Sequence, residues 1–465
     1  MKTKMKHFAL IILLSVYGTA NAVTYTWNGS TSTNWTVATN WTPTRTTPAT
    51  SDDIVITPTS DLTITSFPTQ TINSLTINGT GAYTVTMANG NNSLTIATLF
   101  DIEAGNTLDV GTLRLNNAAA TFTTSGTGAL KVANTNYTPT GKTWTFDVIY
   151  NGTATQQVAG GTYNNITIDN STAIGTIAGF IGGGDLTVNG TLTLNKGILA
   201  CSNNGTTTAR TLNIASTAII NGASSNSYVF TSTGALSRKN VGTATLLYPM
   251  GTLANYAPLI ITNTTGTPNI TTKLSATITN APADATKVVK LEWSVLSTVA
   301  TTTDITYQFN TADFATAYSV GSSSELGNYK TAYTVTSVGT ATGSNPHSVS
   351  ATGLSIPTSG SNLYVIGNSN AIVGGTTSVS DITKESFNVE VANSGTLFLV
   401  NYSIPTASFV NVRLLNLNGQ TLQTLSFEKQ QIGQAVISSS NLSKGLYLVE
   451  VQIEGIKVTK KVVKY

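Results

Sequence analysis

A short apolar-polar-apolar triplet that recurs along the first half of the chain constrains the fold more than any other feature. Three such triplets occupy residues 75–77, 94–96 and 113–115, so they begin 19 residues apart. A constant period of this length is typical of chains that wind in stacked coils, because each coil repeats the one beneath it. We therefore predict that the three leucines that open the triplets share one inward-facing column; they are Leu75, Leu94 and Leu113.

Similar triplets return at less regular intervals at residues 166–168, 186–188 and 212–214. Only 9% of the residues are charged, and Thr, Asn, Ser and Gly dominate the rest, a composition that favours short strands joined by tight turns. The sequence therefore predicts an all-β protein whose residues 52–228 form a parallel β-helix or related β-solenoid.

The N-terminus has the pattern of a secretory signal peptide over residues 1–22. Basic residues lie at positions 2, 4 and 6, an apolar run spans 8–16, and Ala20-Asn21-Ala22 is a small-x-small cleavage site. We predict cleavage after Ala22, with Ala20 and Ala22 as the recognised small residues. The apolar run is too short to span a bilayer, and no later stretch suggests a membrane-spanning helix.

Residues 23–51 carry three tryptophans, Trp27, Trp35 and Trp41, just before the first repeat. The first coil of a solenoid exposes an apolar end and an unpaired strand edge, which large aromatic side chains can cover. We therefore predict an aromatic N-terminal cap. The alternative is a platform on which indole faces stack against sugar rings, and the solvent exposure of the three indoles distinguishes the two.

Beyond residue 228 the repeat fades into strand-length runs bounded by Gly, Asn and Pro, which predict an antiparallel β-sandwich over 229–367. Residues 368–378 are rich in Gly, Asn, Ser and Thr and are predicted to be a linker. Once the 22-residue leader is removed, 40 charged residues remain, and 14 of them lie in 381–465. This rise in charge density marks a further domain boundary near residue 380.

The C-terminal part has three local features. Residues 445–453 alternate between apolar and polar side chains, which predicts a strand of a terminal β-hairpin. An Asn-Gly pair, a dipeptide suited to tight hairpin turns, follows the apolar strand at 412–417. A glycine and three lysines come just before the C-terminus. The residues concerned are Asn418, Gly419, Gly445, Tyr447, Val449, Gly455, Lys457, Lys460 and Lys461.

Together these features resemble the type A C-terminal sorting domain of the type IX secretion system, over residues 379–465. The resemblance implies an immunoglobulin-like β-sandwich, with the type IX export machinery and its C-terminal signal peptidase as partners. It also implies passage through the periplasm to the cell surface or the medium, with removal of the domain. The alternative is an ordinary immunoglobulin-like sandwich whose last strand carries lysines against edge-to-edge aggregation.

Few residues suggest catalysis. His347 is the only histidine after the leader and is predicted to lie in a loop, and Cys201 is the only cysteine, so no metal site or cofactor is predicted. The best enzymatic candidate is a carboxylate group, Asp101, Glu103 and Asp109, near Arg114. Alternation with Phe100 and Ile102 predicts that the first two carboxylates point outward into solvent.

Two classes of function follow. The mature chain carries as many acidic as basic residues, which gives no basis for nucleic-acid binding. We expect a structural, adhesin-like protein of the cell surface that is not an enzyme. The alternative is a carbohydrate-active protein on a β-helix scaffold, either a polysaccharide lyase or hydrolase or a glycan-binding module. Surface polysaccharide and host or environmental glycans are the partners to consider.

Overall fold

A computed structural model describes residues 22–88, 92–116, 122–135, 138–173, 175–202, 208–360, 362–373, 388–453 and 456–465. In these ranges the chain is all-β, as predicted, with three single-turn 3₁₀ helices at Ala38–Asn40, Ala285–Lys287 and Thr311–Asp313. Within them, no helix is long and apolar enough to cross a bilayer. The chain forms two compact units, which divide between Val373 and Gly374. Ala20 and the rest of the predicted signal peptide lie outside the described residues.

The strands of the first unit are numbered in chain order. The strands of its first half are β1 (Thr24–Trp27), β2 (Trp41–Thr42), β3 (Asp53–Ile56), β4 (Leu62–Thr65), β5 (Gln70–Ile77), β6 (Thr84–Ala88), β7 (Ser93–Ile102), β8 (Thr107–Asp109), β9 (Arg114–Asn116), β10 (Thr123–Ser125), β11 (Ala129–Val132), β12 (Lys142–Trp144), β13 (Asp147–Tyr150), β14 (Gln156–Asp169) and β15 (Ile177–Lys196). Those of its second half are β16 (Ile198–Ala200), β17 (Thr211–Ile214), β18 (Ile219–Asn221), β19 (Val229–Phe230), β20 (Ala235–Arg238), β21 (Leu246–Tyr248), β22 (Met250–Gly251), β23 (Leu259–Thr262), β24 (Ile270–Ser275), β25 (Glu292–Ser297), β26 (Thr301–Phe309), β27 (Ser323–Tyr329), β28 (Tyr333–Thr340), β29 (His347–Ile356) and β30 (Leu363–Asn368).

The predicted solenoid is confirmed by a parallel ladder that runs through eight successive coils. Its members are β4, β6, β8, β11, β13, β14, β15 and β18. One apolar column climbs this ladder through Leu62, Val85, Leu108, Leu130, Val148, Ile166, Leu192 and Ile220. Neighbours in the column lie between 18 and 28 residues apart in sequence, so the coils stack in register although their lengths differ.

The predicted 19-residue column is wrong in register. Leu75, Leu94 and Leu113 are all fully buried. However, Leu75 pairs with Ile54 below and Phe100 above, whereas Leu94 pairs with Gln70 and Leu115. Strands β5 and β7 are long, and a register shift after Ile72 separates their two halves. The triplets at 75–77 and 94–96 therefore occupy different positions in the coil, and their similar sequences do not mark successive layers.

The cap prediction agrees with the burial of its tryptophans. Trp27, Trp35 and Trp41 are 7%, 1% and 2% exposed. Trp41 meets the edges of the other two indoles at centroid distances of 4.9 and 4.6 Å, and Trp35 also lies 4.3 Å from Phe67. Since β1 pairs in parallel with β3, this aromatic cluster closes directly onto the first coil. Exposed indole faces of the kind that a sugar-stacking platform needs are therefore not present in this cluster.

Parallel pairing continues past the predicted solenoid limit at residue 228. Val229 pairs with Met250, and Leu212 pairs with Leu236, both in parallel. The parallel ladder that includes β17 ends at β20, which pairs with β24 in antiparallel orientation, and β24 pairs in the same way with β25. Strands β21, β23, β26 and β29 form a separate antiparallel sheet. One hydrophobic core runs from Tyr25 to Ile366, so residue 229 is not a packing boundary.

The predicted linker is wrong at its start, because residues 368–373 are part of the first unit. Asn368 ends β30, and Ala371 and Ile372 are buried in a small cluster with Val288 and Val365. Residues 368–373 therefore belong to the first unit, and the remainder of the predicted linker lies outside the described residues.

The second unit is antiparallel and contains β31 (Asn388–Asn393), β32 (Leu397–Leu415), β33 (Thr421–Ser438), β34 (Gly445–Ile453) and β35 (Ile456–Lys464). Strand β33 follows one edge of β32 over most of its length, whereas β31 and β34 share the other edge. Strand β35 pairs with β34, and the Asn393 amide donates a hydrogen bond of 2.6 Å to the Val463 carbonyl. Thus β31 and β35 meet, and the strands enclose a core of their own.

Candidate functional site

The predicted terminal hairpin is formed by β34 and β35, which pair from Gly445–Lys464 to Ile453–Ile456. The alternation found in the sequence is reflected in burial, since Val449 and Val451 are fully buried and Tyr447 is half-buried with its hydroxyl donating to the Ser443 carbonyl at 2.8 Å. The hairpin therefore supplies both an edge strand and part of the core of its unit.

The Asn418-Gly419 turn joins β32 to β33, as predicted. Gly419 has a φ of +78°, a left-handed conformation that glycine adopts without steric cost. The Asn416 side-chain oxygen accepts from the backbone N–H groups of Asn418 and Gln420 at 3.1 and 2.9 Å. Asn416, which the sequence did not single out, thus holds the turn in place.

The structure brings most of the predicted sorting residues to one end of the sheet. Leu415, the last residue of β32, pairs with Leu448, which in turn pairs with Lys461. Gly445, Tyr447, Val449 and Lys460 lie on the same stretch of the hairpin. Lys457 pairs with Gln452 near the opposite end, and Gly455 lies outside the described residues.

The basic residues of the last strand are not equivalent. Lys460 and Lys461 are exposed and form no ion pair within the described part of the chain. Lys457 Nζ lies 3.7 Å from the Glu450 carboxylate, which also binds Arg413 directly across from it on β32. Lys464 donates to the Ser439 carbonyl. Arg413, Glu450 and Lys464 were missed because their roles depend on which strands become neighbours.

The prediction for Asp101 is wrong, because its carboxyl is buried and not solvated. Asp101 is 8% exposed and lies between Thr76 and Ser125 of the adjacent coils. The chain of the next coil passes over it at Gly126, where an added Cβ would lie 2.9 Å from Asp101 Oδ1. Burial raises the pKa of Asp101, the charge of Glu103 adds to this, and a hydrogen bond with Ser125 opposes it.

The other candidate carboxylates are divided between sheets. Glu103 is exposed just after β7 ends, whereas Asp109 lies on β8 and accepts from the Gly111 N–H at 2.9 Å. Arg114 opens β9. Over the described ranges, no three His, Cys, Asp or Glu side chains gather as a metal site would require.

The histidine and the cysteine both contribute to packing. His347 was predicted to lie in a loop, but it begins β29, is 7% exposed, and lies 3.0 Å from both Thr311 Oγ1 and the Gly343 carbonyl. Cys201 is fully buried, and burial raises the pKa of its thiol to about 12. The reactive thiolate is therefore scarce at neutral pH.

Replacing Asp101 by Asn is expected to stabilise the first unit at neutral pH. Folding raises the pKa of this carboxyl, so its protonated form stabilises the folded state at pH values below the unfolded pKa of about 3.9. This stabilisation is lost as the pH rises through the pKa of the folded state. Asn removes that loss, so the increase in melting temperature should be clear at pH 7 and small at pH 3. Thermal denaturation monitored by circular dichroism measures it.

Asp304 provides a control of opposite sign. Its carboxylate accepts from Asn263 and Gly353, which lowers its pKa. Asp304→Asn should therefore lower the melting temperature at pH 7. Equal shifts for the two variants, or an Asp101→Asn effect that does not change with pH, would contradict this account.

The first unit is a β-solenoid extended by antiparallel strands, and the second is an antiparallel β-unit that has its own core and includes a basic hairpin. Comparison with known families supports this division. Residues 383–465 match the family described as the secretion system C-terminal sorting domain, and no curated protein matches the chain. The second unit therefore matches the sorting domain of the type IX secretion system, which supports export of this protein by that system.

Proposed function

We propose that the first unit is a structural, adhesin-like module that type IX secretion delivers to the cell surface or the medium. The observation that carries this proposal is the parallel ladder of eight strands attached to a sorting domain. A ladder of this length holds its outward side chains at the strand spacing of about 4.8 Å, which provides an extended surface for repeated weak contacts.

The outward surface of the first unit supports a contact role. A second parallel ladder runs through β12, β14, β15 and β17, and its outward column contains short polar side chains, namely Thr143, Thr162, Thr187 and Asn213. Such side chains form hydrogen bonds without the desolvation cost that charged groups carry. Cells that lack the protein should therefore attach less to polysaccharide-coated surfaces, and expression of the full chain should restore attachment. Unchanged attachment of the deletion strain would contradict the adhesin-like role.

The sorting unit is proposed to be removed after export by the C-terminal signal peptidase of the system. The two units have separate cores, so a cut between Val373 and Asn388 would leave every strand of the first unit intact. Mass spectrometry of the exported protein should find a C-terminus in this interval. A surface form that retains Tyr465 would contradict removal.

The first unit is proposed to act without catalysis, and an enzyme test addresses the alternative. The carboxylates that could have acted together are separated, with Asp101 buried in the coil and Asp109 on another sheet. Incubation of the mature protein with acidic and neutral polysaccharides should yield no unsaturated or reducing ends. Products that disappear in Asp101→Asn would favour a lyase or hydrolase instead.

A further inference from the structure

The N-terminal cap contains a cavity of about 460 Å³ that no function described so far uses. Its rim consists of exposed residues such as Thr36, Pro48 and Thr69, and its floor is formed by Trp35, Trp41 and Arg45, which are at most 3% exposed. The size and the contrast between an open rim and a buried, partly aromatic floor are typical of small-molecule sites.

Arg45 is fixed at this floor by two kinds of contact. Its Nε donates to Asp52 Oδ2 at 2.8 Å, and Asp52 is itself only 2% exposed. The guanidinium carbon also lies 5.4 Å from the Trp41 ring centroid and 5.9 Å from that of Trp35. The ion pair makes the site electrically neutral overall, while the aromatic rings hold the guanidinium in one position.

Gln70 lies beside Arg45, and its orientation leaves a donor without a partner. Both Nη groups of Arg45 approach Gln70 Oε1 at 3.4 Å, a long distance for a hydrogen bond. The positive guanidinium requires the amide oxygen, and not the amide nitrogen, to face it. Gln70 Nε2 is thereby buried without an acceptor among the described residues, and so is Trp35 Nε1.

Three residues of the cavity thus carry N–H groups that have weak hydrogen-bond partners or none among the described residues. These groups are the two Nη groups of Arg45, Gln70 Nε2 and Trp35 Nε1. An apolar ligand would leave these donors unpaired, which makes it a poor match. A cation would meet Arg45, and an anion would add a second negative charge next to Asp52. A ligand with many hydroxyl groups can accept from the floor and donate to the threonines and carbonyls of the rim.

We propose that this cavity binds a neutral, hydroxyl-rich small molecule, namely the terminal sugar of a glycan. The volume accommodates roughly one or two pyranose rings. Binding would use the N–H donors of Arg45, Gln70 and Trp35, and the indole faces would stay packed within the cap. The proposal does not depend on the sorting assignment or on the adhesin-like role.

The test is a titration of the mature full chain with glucose, N-acetylglucosamine, mannose, galactose and cellobiose, with glucuronate as the charged counterpart. Intrinsic tryptophan fluorescence reports binding, because Trp35 and Trp41 line the cavity. At least one neutral sugar should bind with a dissociation constant in the millimolar range. Binding by none of the neutral sugars, or by glucuronate alone, would overturn the proposal.

Gln70→Glu is the decisive variant. It keeps the side-chain length, removes the Nε2 donor, and places a carboxylate where Arg45 can bind it through both Nη groups. We expect the affinity for the neutral sugar to fall by at least about tenfold, which corresponds to the loss of one buried donor. Gln157→Glu, at a half-buried position of β14 far along the sequence, should bind as the wild type does.

A second substitution guards against a folding defect. Gln70→Met keeps the volume and removes both polar atoms of the amide, so it should weaken sugar binding by a similar factor without adding a charge. Sugar binding that is unchanged in both Gln70 variants would overturn the assignment of this cavity.

Discussion

Deleting residues 445–465 is expected to abolish export and to leave the protein in the periplasm with its first unit folded. The deletion removes β34 and β35, and with them the buried side chains of Val449, Val451 and Ile453. Strand β32 would lose the partner that covers Val410, Val412 and Leu414, so the sorting unit could no longer fold. The hydrophobic core of the first unit includes none of these residues.

Cell fractionation with an antibody to the first unit measures this result, and resistance of the retained protein to protease shows that the unit is folded. A gentler variant replaces Lys457, Lys460 and Lys461 by Ala, which leaves the apolar core of the hairpin unchanged. Reduced export in this variant would identify the basic strand as part of the recognised surface. Normal amounts of the truncated protein in the medium would show that the hairpin is not required for sorting.

Ile166→Asp is expected to destabilise the first unit by about 3 kcal/mol or more, because it removes a buried apolar side chain and places a carboxyl in the core. Ile166 is 1% exposed and lies between Val148 and Leu192 in the central apolar column. The coils on either side cannot separate to admit water without losing their own ladder hydrogen bonds. Urea denaturation followed by circular dichroism measures the change.

Thr167→Asp is the matched control, since it introduces the same side chain one residue further along the same strand. Thr167 is half-buried, and its neighbours in the ladder are Ile149 and Thr193, so a new carboxylate meets no acidic side chain directly across. A change within about 1 kcal/mol is expected at such a surface position. Similar losses for the two variants would contradict the inward and outward assignment of this strand.

Local patterns predicted the elements that depend on nearby residues. Alternation over 445–453 correctly indicated a strand, and the Asn418-Gly419 pair correctly indicated a hairpin turn, because both follow from backbone geometry within a few residues. The repeated triplets correctly indicated a solenoid. Their spacing gave the wrong register, since a coil can vary in length while its strands remain stacked.

Properties that depend on the next coil could not be predicted in the same way. Asp101 follows an alternating pattern that should expose it, yet the chain at Gly126 covers it. The cap cavity is a similar case, because Arg45, Asp52 and Gln70 are brought together only when the cap folds onto the first coils. Their spacing in sequence resembles no known motif, and no local signal would have identified them.

The unequal coil lengths have a consequence for how such a protein can change over evolutionary time. Since stacking tolerates coils that differ by as many as ten residues, a coil could be duplicated or lost within the ladder without disturbing its neighbours. The ends are less permissive. The aromatic cap closes one, and antiparallel β24 covers β20 at the other. Gain or loss of length should therefore occur between these two fixed ends, so that relatives would differ in reach while keeping the same termini.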